Sequence, residues 1–314
     1  MKLLVTGGLG FIGSNFIIHV LTNYPSYKIV NVDDEHIGSN HKNLMGIKNS
    51  TSYRFVKGNI TDRKLMSELI LNCDVIINFA AESHVDRSIT DAKPFIDSNI
   101  YGVFTILEIL RNYPKRLVHI STDEVFGSLE KDSASENYRL NPSSPYSSSK
   151  ASAELLVKSY VTTYGIDAVI TRCTNNYGPR QFPEKLIPKT ILLAAQNKRI
   201  PIMNKGIGVR DWIYVDDHCD AIMTVLDKGR TGESYNISAG NEIDVLTLVK
   251  KILYLMNVQQ DLYEFVQDRP GHDYRYSLDS SKIRSHLQWK PQIDFEVGIK
   301  KTIDWYLINK DHWN

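Results

Sequence analysis

Cysteine is scarce in this chain. Three occur among 314 residues, Cys73, Cys173 and Cys219. Their number is odd and their spacing fits no metal-binding pattern, which argues against a disulfide framework and a metal centre. They read as buried thiols of a reducing compartment. An excess of charge is lacking too, with 37 basic against 36 acidic residues and a net charge of +1. That argues against a nucleic-acid or anionic-membrane surface, so an anionic ligand would need a local cationic pocket. Long apolar runs are absent, because segment 11–21 is too short and too glycine-interrupted to span a bilayer. The strand-like run begins straight after Met1-Lys2, so the expectation is a cytoplasmic protein. Repeats and low-complexity segments are missing as well.

What is present is length and alternation. A chain of this size holds one large α/β domain or two lobes sharing a core. With 42% hydrophobic and 23% charged residues it has the composition of a soluble globular protein. Strand-like runs at Lys2–Thr6, Lys28–Val32, Tyr53–Lys57, Val75–Phe79, Leu117–Ile120 and Asp167–Thr171 alternate with helical patterns. Those patterns cover Phe11–Leu21, 62–71, 95–111 and 147–164. Such alternation predicts an α/β fold with a doubly wound parallel sheet. Continuous apolar strands fit a sheet buried on both faces. From about 175 the texture changes. Helices at 185–197, 216–227 and 245–256 alternate with short strands near 200–203, 213–215 and 234–237. We therefore expect one domain over 1–174 and a smaller mixed lobe over 175–314. The boundary is interleaved, and 213–215 is a candidate to return to the sheet.

Gly7, Gly10 and Gly13 follow the first strand and open the first helix with Phe11 and Ile12 between them. Glycines there let the backbone approach a pyrophosphate, and the helix start offers free N–H groups. A glycine cluster alone marks only a tight turn, but here the strand–turn–helix context is right. Asp33 ends the second strand, where a carboxylate binds both adenosine ribose hydroxyls and repels a 2′-phosphate. No arginine follows closely, so NAD is favoured over NADP. Ala80 and Ala81 close another strand with side chains small enough for a cofactor to lie against them. Plain packing explains them equally well.

Tyr146 and Lys150 stand one helical turn apart on one face. A phenol is a poor base near neutral pH, and a nearby ammonium lowers its pKa. This spacing is often a surface pair, but behind a nucleotide fingerprint it points to oxidation of an alcohol. Thr122, Asp123 and Glu124 sit just after a strand, at the edge where open sheets hold ligands. A helix cap would use the same residues, yet Val125-Phe126-Gly127-Ser128 does not read as an ordinary helix.

Together these residues resemble the extended short-chain dehydrogenase/reductase superfamily and, within it, the dTDP-glucose 4,6-dehydratase family. The similarity runs nearly end to end. It includes Gly7 to Gly13, Ala80 to Ser88, Ser121 to Gly127, Tyr146 to Lys150, Asn175 to Leu186, Val209 to His218 and Asp268 to Asp273. The Thr-Asp-Glu triplet is its specific feature, since related epimerases resemble Ser-Ser or Ser-Ala there. The resemblance implies a Rossmann-type doubly wound sheet with a smaller substrate-binding lobe.

It also implies a three-part reaction in deoxysugar biosynthesis with recycled NAD. Tyr146 would take the 4-hydroxyl proton, Lys150 would tune it and hold the nicotinamide ribose, and Thr122 would orient the 4-hydroxyl. Glu124 would remove the C5 proton while Asp123 protonates the departing 6-hydroxyl. Asn59 and Ile60 would meet the adenine. Arg210, Arg269 and His272 would hold the diphosphate. Asn175, Asn176, Glu184, Lys185 and Leu186 would line the sugar and nucleoside pocket, with Ser83 and His84 near the glucosyl ring. Pro201 and Met203 would lie at the base, where Met203 replaces a stacking tyrosine. Asn59 stands where the family has aspartate, and the stretch after Glu242 lacks a pocket asparagine. These departures leave dTDP and UDP both open. A UDP-sugar 4-epimerase or a UDP-glucuronate decarboxylase is the alternative on the same fold. The helices at 95–111 and 147–164 carry Val103, Phe104, Leu107, Leu110, Leu156 and Tyr160. In the superfamily such helices pair into a homodimer; ordinary packing on the sheet is the other explanation.

Overall fold

The computed structural model describes residues 1–313. Seven parallel strands form the main sheet. They are β1 (Lys2–Thr6), β2 (Lys28–Asp33), β3 (Tyr53–Lys57), β4 (Val75–Asn78), β5 (Arg116–Thr122), β6 (Ala168–Cys173) and β10 (Ser234–Ile237). Their order is β10-β6-β5-β4-β1-β2-β3. The chain reverses direction across the sheet between β1 and β4, and a crevice opens beyond the carboxyl ends there.

Successive residues of β1 explain the two layers. Leu3 and Val5 pack with α1 (Phe11–Asn23) and α8 (Val215–Lys228) through Phe16, Ile17, Ile222 and Leu226. Leu4, on the other face, packs with α2 (Arg63–Leu71), α5 (Val103–Leu110) and α6 (Pro145–Tyr164) through Met66, Leu107 and Val157. Each such side chain removed from water contributes about 1.5–3 kcal/mol. Both faces are covered, so the strands are largely apolar, with Asn31, His119 and Arg172 among the buried polar exceptions. Between β4 and α5 lie α3 (Val85–Thr90) and α4 (Lys93–Phe95), and a π-turn over Ile96–Gly102 joins α4 to α5.

The smaller lobe has two sheets. One is β11 (Glu242–Asp244), β9 (Val209–Tyr214) and β7 (Asn175–Tyr177); the other pairs β12 (Tyr263–Val266) with β8 (Ile200–Met203). Around them stand α7 (Leu186–Ala195), α9 (Val245–Leu255) and α11 (Phe295–Ile308), sharing a core of Tyr177, Ile187, Trp212, Leu248, Ile299 and Tyr306. The remaining helix, α10 (Ser281–Leu287), packs on β10.

Several expectations change. The candidate strand at 213–215 falls on the end of β9, where Ile213 and Tyr214 pair with β7 in the smaller lobe, and Val215 opens α8. The segment 234–237 instead joins the main sheet beside β6. The helix expected over 95–111 contains the π-turn. Of the six apolar residues singled out on these helices, Val103, Leu107, Leu110 and Tyr160 are buried in this chain's own core, and Leu156 packs against it. Phe104 is the one that reaches the surface, at 38% exposure. Elements β7, β11, β12, α3, α10 and α11 were not legible as separate units. No helix among the described residues is long and apolar enough to cross a membrane, and no cluster of potential metal ligands occurs among them.

Candidate active site

The crevice over the sheet's carboxyl edge is a long cleft. Its first stretch is walled by Gly7, Gly10, Phe11, Ile12, Gly13 and Asp33, with Asn59, Ile60, Ala80 and Ala81 opposite. Gly7 takes φ +69°, and a side chain there would meet the Ala80 backbone at 2.8 Å. A side chain at Gly13 would strike the Gly7 carbonyl at 2.4 Å. Gly10 starts α1 without a side-chain cap, so the helix's first N–H groups face the cleft unpaired by side chains. The Asp33 carboxyl is held by Leu9 N–H at 2.9 Å and Ser39 Oγ at 2.7 Å. These features suit a dinucleotide: bare backbone for the pyrophosphate, a fixed carboxylate for the ribose. Asn59 is partly spent, donating to Asp34 and accepting from Thr61.

The middle of the cleft brings Thr122, Asp123, Glu124, Tyr146 and Lys150 together on one wall. Beyond β5 comes a single 3-10 turn, Asp123–Phe126, whose Glu124 N–H is capped by Thr122 Oγ1 at 3.3 Å. The turn is capped as a helix start would be, and the same residues line the cleft. Helix α6 starts at a reciprocal Ser144–Ser147 cap with Pro145 in its first turn, which fixes where Tyr146 enters the cleft. Farther along α6, Glu154 forms a fully buried ion pair with Arg172 of β6, Nη2 to Oε2 at 2.6 Å. Arg172 also lies over the Phe126 ring at 4.9 Å, so the pair ties α6 to the turn that carries the two acids.

Charge is tuned mainly by burial. It pushes the Tyr146 hydroxyl well above its ordinary range, Glu124 adds to that, and a hydrogen bond with Thr122 opposes it. This reverses the lowered phenol expected from the sequence. The Lys150 ammonium donates to the Ile120 carbonyl at 2.6 Å, and burial brings its pKa down to about 8. In the chain alone the phenol keeps its proton; positive charge placed beside it would act in the opposite direction. The two acids differ. Burial and the neighbouring Glu124 push Asp123 up to about 8. Burial raises Glu124 as well, but Lys185, Arg210 and Arg269 all pull it down.

The substrate end is assembled from distant segments. Ser83, Asn175, Asn176 and Lys185 line the cleft. Asn176 Oδ1 is turned to His218 Nδ1 at 2.9 Å, while the Asn175 Oδ1 is buried without a partner among the described residues. Lys185 donates to the Ser83 carbonyl at 3.1 Å. His84, Glu184, Leu186, Pro201, Met203, Arg210, Arg269 and His272 lie outside the walls of this cavity. Glu184 pairs with Arg87 at 2.8 Å and approaches His84 at 3.6 Å. Leu186 packs into the lobe's core, and Pro201 and Met203 sit on β8 beside β12. Arg210 is anchored on the carbonyls of Val209, Tyr274 and Asp273 and on the Tyr276 ring. Arg269 pairs with Asp86 at 3.0 Å but leaves its Nε buried and unpaired. His272 pairs with Asp268, and both arginines lower its pKa, after burial. The two arginines and His272 therefore share one neighbourhood, with the Arg269 Nε left as a donor without a partner among the described residues.

Sequence reading missed Glu82, Ser98, Ser121, Cys173, Thr174, Gln181 and Phe182, which also line the cleft. Cys173 and Thr174 had a usable signal, since they directly precede Asn175 at a strand end. Asn99 had none. It sits in the π-turn and holds Glu82 through both backbone groups and Ser149 through its hydroxyl.

A doubly wound sheet with a dinucleotide cradle and a Tyr–Lys pair one helical turn apart defines an oxidoreductase scaffold of the short-chain dehydrogenase/reductase type. The family model for GDP-mannose 4,6 dehydratase matches residues 4–302, and the chain belongs to that family. It is 44% identical to a dTDP-glucose 4,6-dehydratase of Mycobacterium tuberculosis, covering 100% of this chain and 95% of that protein. The crystal structure of a dTDP-glucose 4,6-dehydratase from Streptomyces venezuelae with NAD bound superposes with a TM-score of 0.98 at 41% identity, over 100% of this chain and 99% of that one. A UDP-glucuronic acid 4-epimerase from Bacillus cereus is more distant, with 27% identity and a TM-score of 0.92 over 98% and 99% of the two chains.

Proposed function

We propose that this chain dehydrates a nucleoside-diphosphate glucose, dTDP-glucose, to the 4-keto-6-deoxy sugar. The observation that carries this is the split between two adjacent carboxyls beside a tyrosine. Asp123 keeps its proton up to about pH 8, as an acid must. Burial raises Glu124 too, but three cations pull against that rise, which favours the base's part. Paired groups with separated proton affinities divide acid and base work between them. An epimerase moves a hydride without expelling water and has no use for the second acid.

Gly7, Gly10, Gly13 and Asp33 would hold NAD, which when bound takes a hydride from C4 and gives it back at C6. Tyr146 accepts the 4-hydroxyl proton, with Lys150 beside it. Glu124 removes the C5 proton from a carbon made acidic by the new ketone. Asp123 protonates the 6-hydroxyl so that it leaves as water. Arg210, Arg269 and His272 hold the diphosphate. The same reading has residues 1–174 with β10 as the cofactor domain and most of 175–314 as the substrate lobe. It places the enzyme in the cytoplasm, consistent with three buried free thiols. It also has it working as a homodimer through α5 and α6, whose surfaces expose Phe104 and Leu155.

The test is a product assay with dTDP-glucose and UDP-glucose. A 4-keto-6-deoxy product supports the reading, and a C4 epimer of the substrate in its place would refute it.

A further inference from the structure

We infer that His218 is a positioning residue for the substrate: it fixes which way round the Asn176 amide sits, so that this wall of the cleft offers a ligand oxygen an N–H donor and not a carbonyl. This rests on the nucleotide-sugar reading above, which puts Asn176 in the substrate pocket. Asn176 is held from several sides. It is the middle residue of β7, where the next residue, Tyr177, turns into the lobe's core. Alternation along a strand sends Asn176 the other way, to the cleft. Its backbone carbonyl accepts from Gln181 Nε2 at 2.9 Å. Its side-chain Nδ2 donates to the Thr174 carbonyl at 3.0 Å, and its Oδ1 faces His218 Nδ1 at 2.9 Å.

These contacts decide where the hydrogens are. The Thr174 carbonyl only accepts, so the amide puts its nitrogen there and its oxygen on the imidazole. That oxygen only accepts too, so His218 Nδ1 carries the hydrogen. The ring stands in the first turn of α8 and is wholly buried. Burial brings its pKa down to about 3, so it is neutral, and the proton on Nδ1 leaves Nε2 bare. Nε2 has no partner among the described residues. The other tautomer would strand an N–H there and set two lone pairs against each other at Nδ1. An amide nitrogen has two hydrogens. Thr174 takes one, and the second is left for the cleft. The Cys173 sulfur stands beside the amide, but sulfur is a weak acceptor, and a phosphate or hydroxyl oxygen displaces it. Without the His218 N–H, the buried Oδ1 has no donor. The amide then gains by swinging that oxygen to the wet cleft, which breaks the Thr174 bond and withdraws the donor from the ligand.

His218→Phe keeps a ring and removes the donor. It should raise KM for dTDP-glucose about tenfold and leave kcat within about threefold. His218→Asn puts an amide nitrogen where Nδ1 was, and should bring KM back to within about threefold of wild type. In an Asn176→Ala background there is no amide to orient, so His218→Phe should change KM less than about twofold. Equal rises on both backgrounds, or an unchanged KM on the first, would overturn the inference. Asn176→Asp tests the donor and leaves α8 untouched. It puts a second acceptor where the N–H was, so KM should rise at least as far as in Asn176→Ala; a lower KM in the aspartate variant would overturn the inference as well. Calorimetry with dTDP, which lacks the sugar, locates the ligand oxygen. A matching loss of affinity in His218→Phe puts it on the diphosphate and an unchanged affinity puts it on the sugar, and both support the donor. If wild type binds neither dTDP nor dTDP-glucose, the nucleotide-sugar reading itself fails, which is seen before any variant is made.

Discussion

The cleft has two ends, and they are held in place differently. At the cofactor end the wall residues sit on the carboxyl ends of β1, β2, β3, β4 and β5 or a few residues beyond. Backbone register sets their positions, and a buried sheet sets the register. At the substrate end, segments 83–87, 184–185 and 269–272 meet from three parts of the chain. Partly exposed ion pairs join them, Arg87–Glu184 and Arg269–Asp86. Such pairs contribute about 0–1 kcal/mol each. One end is therefore shaped before any ligand arrives, while the other depends on contacts that a ligand's own charges can replace.

Substitutions at each end test that contrast, from the largest effect down. Tyr146→Phe should lower kcat by about 10³-fold or more and leave NAD affinity within about twofold by calorimetry. A comparable loss of NAD would mean that the rigid end is not independent of its reactive group. Glu124→Gln should lower product formation by about 10²–10⁴-fold while reduced cofactor accumulates on mixing with substrate. Prompt product without that accumulation would remove Glu124 from the C5 step. The pH profile follows from Asp123, whose proton is present below about 8. The rate should hold as pH approaches 8 and then fall about tenfold per further unit, and a flat profile to pH 10 would contradict its role as acid. Arg269→Ala should raise KM by about 10–100-fold with kcat little changed, because it removes binding common to ground and transition states. Asp86→Asn should shift KM less than about fivefold, and less again at high salt. A large, salt-insensitive change there would show that the substrate end is as fixed as the other.

The same contrast decides what could be read from the residues in order. Gly7 to Gly13, Asp33 and Tyr146 to Lys150 are local patterns whose geometry is written in a few neighbouring positions. The strand that precedes each one supplies the rest. The expected substrate residues outside the cavity, such as Arg269 and Pro201, depend on how segments far apart in the chain meet, and no short pattern encodes that. β11 and β12 are three and four residues long, too short for periodicity to speak. Segment 234–237 looked like lobe material because proline- and glycine-rich chain precedes it, yet pairing with β6 draws it into the main sheet. Spacing shows that a lysine is near Tyr146, but it does not show that burial raises the phenol in the chain alone.

Glu154 and Arg172 stand 18 positions apart and are wholly enclosed. Losing either partner alone strands a charge away from water and costs about 3–5 kcal/mol, whereas exchanging both for apolar residues of like volume is often neutral or better. Drift at these two sites is consequently all or nothing. A lineage can cross from the ionic state to a greasy one only through a valley that a marginally stable enzyme does not survive, so one inherited choice at the back of α6 becomes hard to revisit.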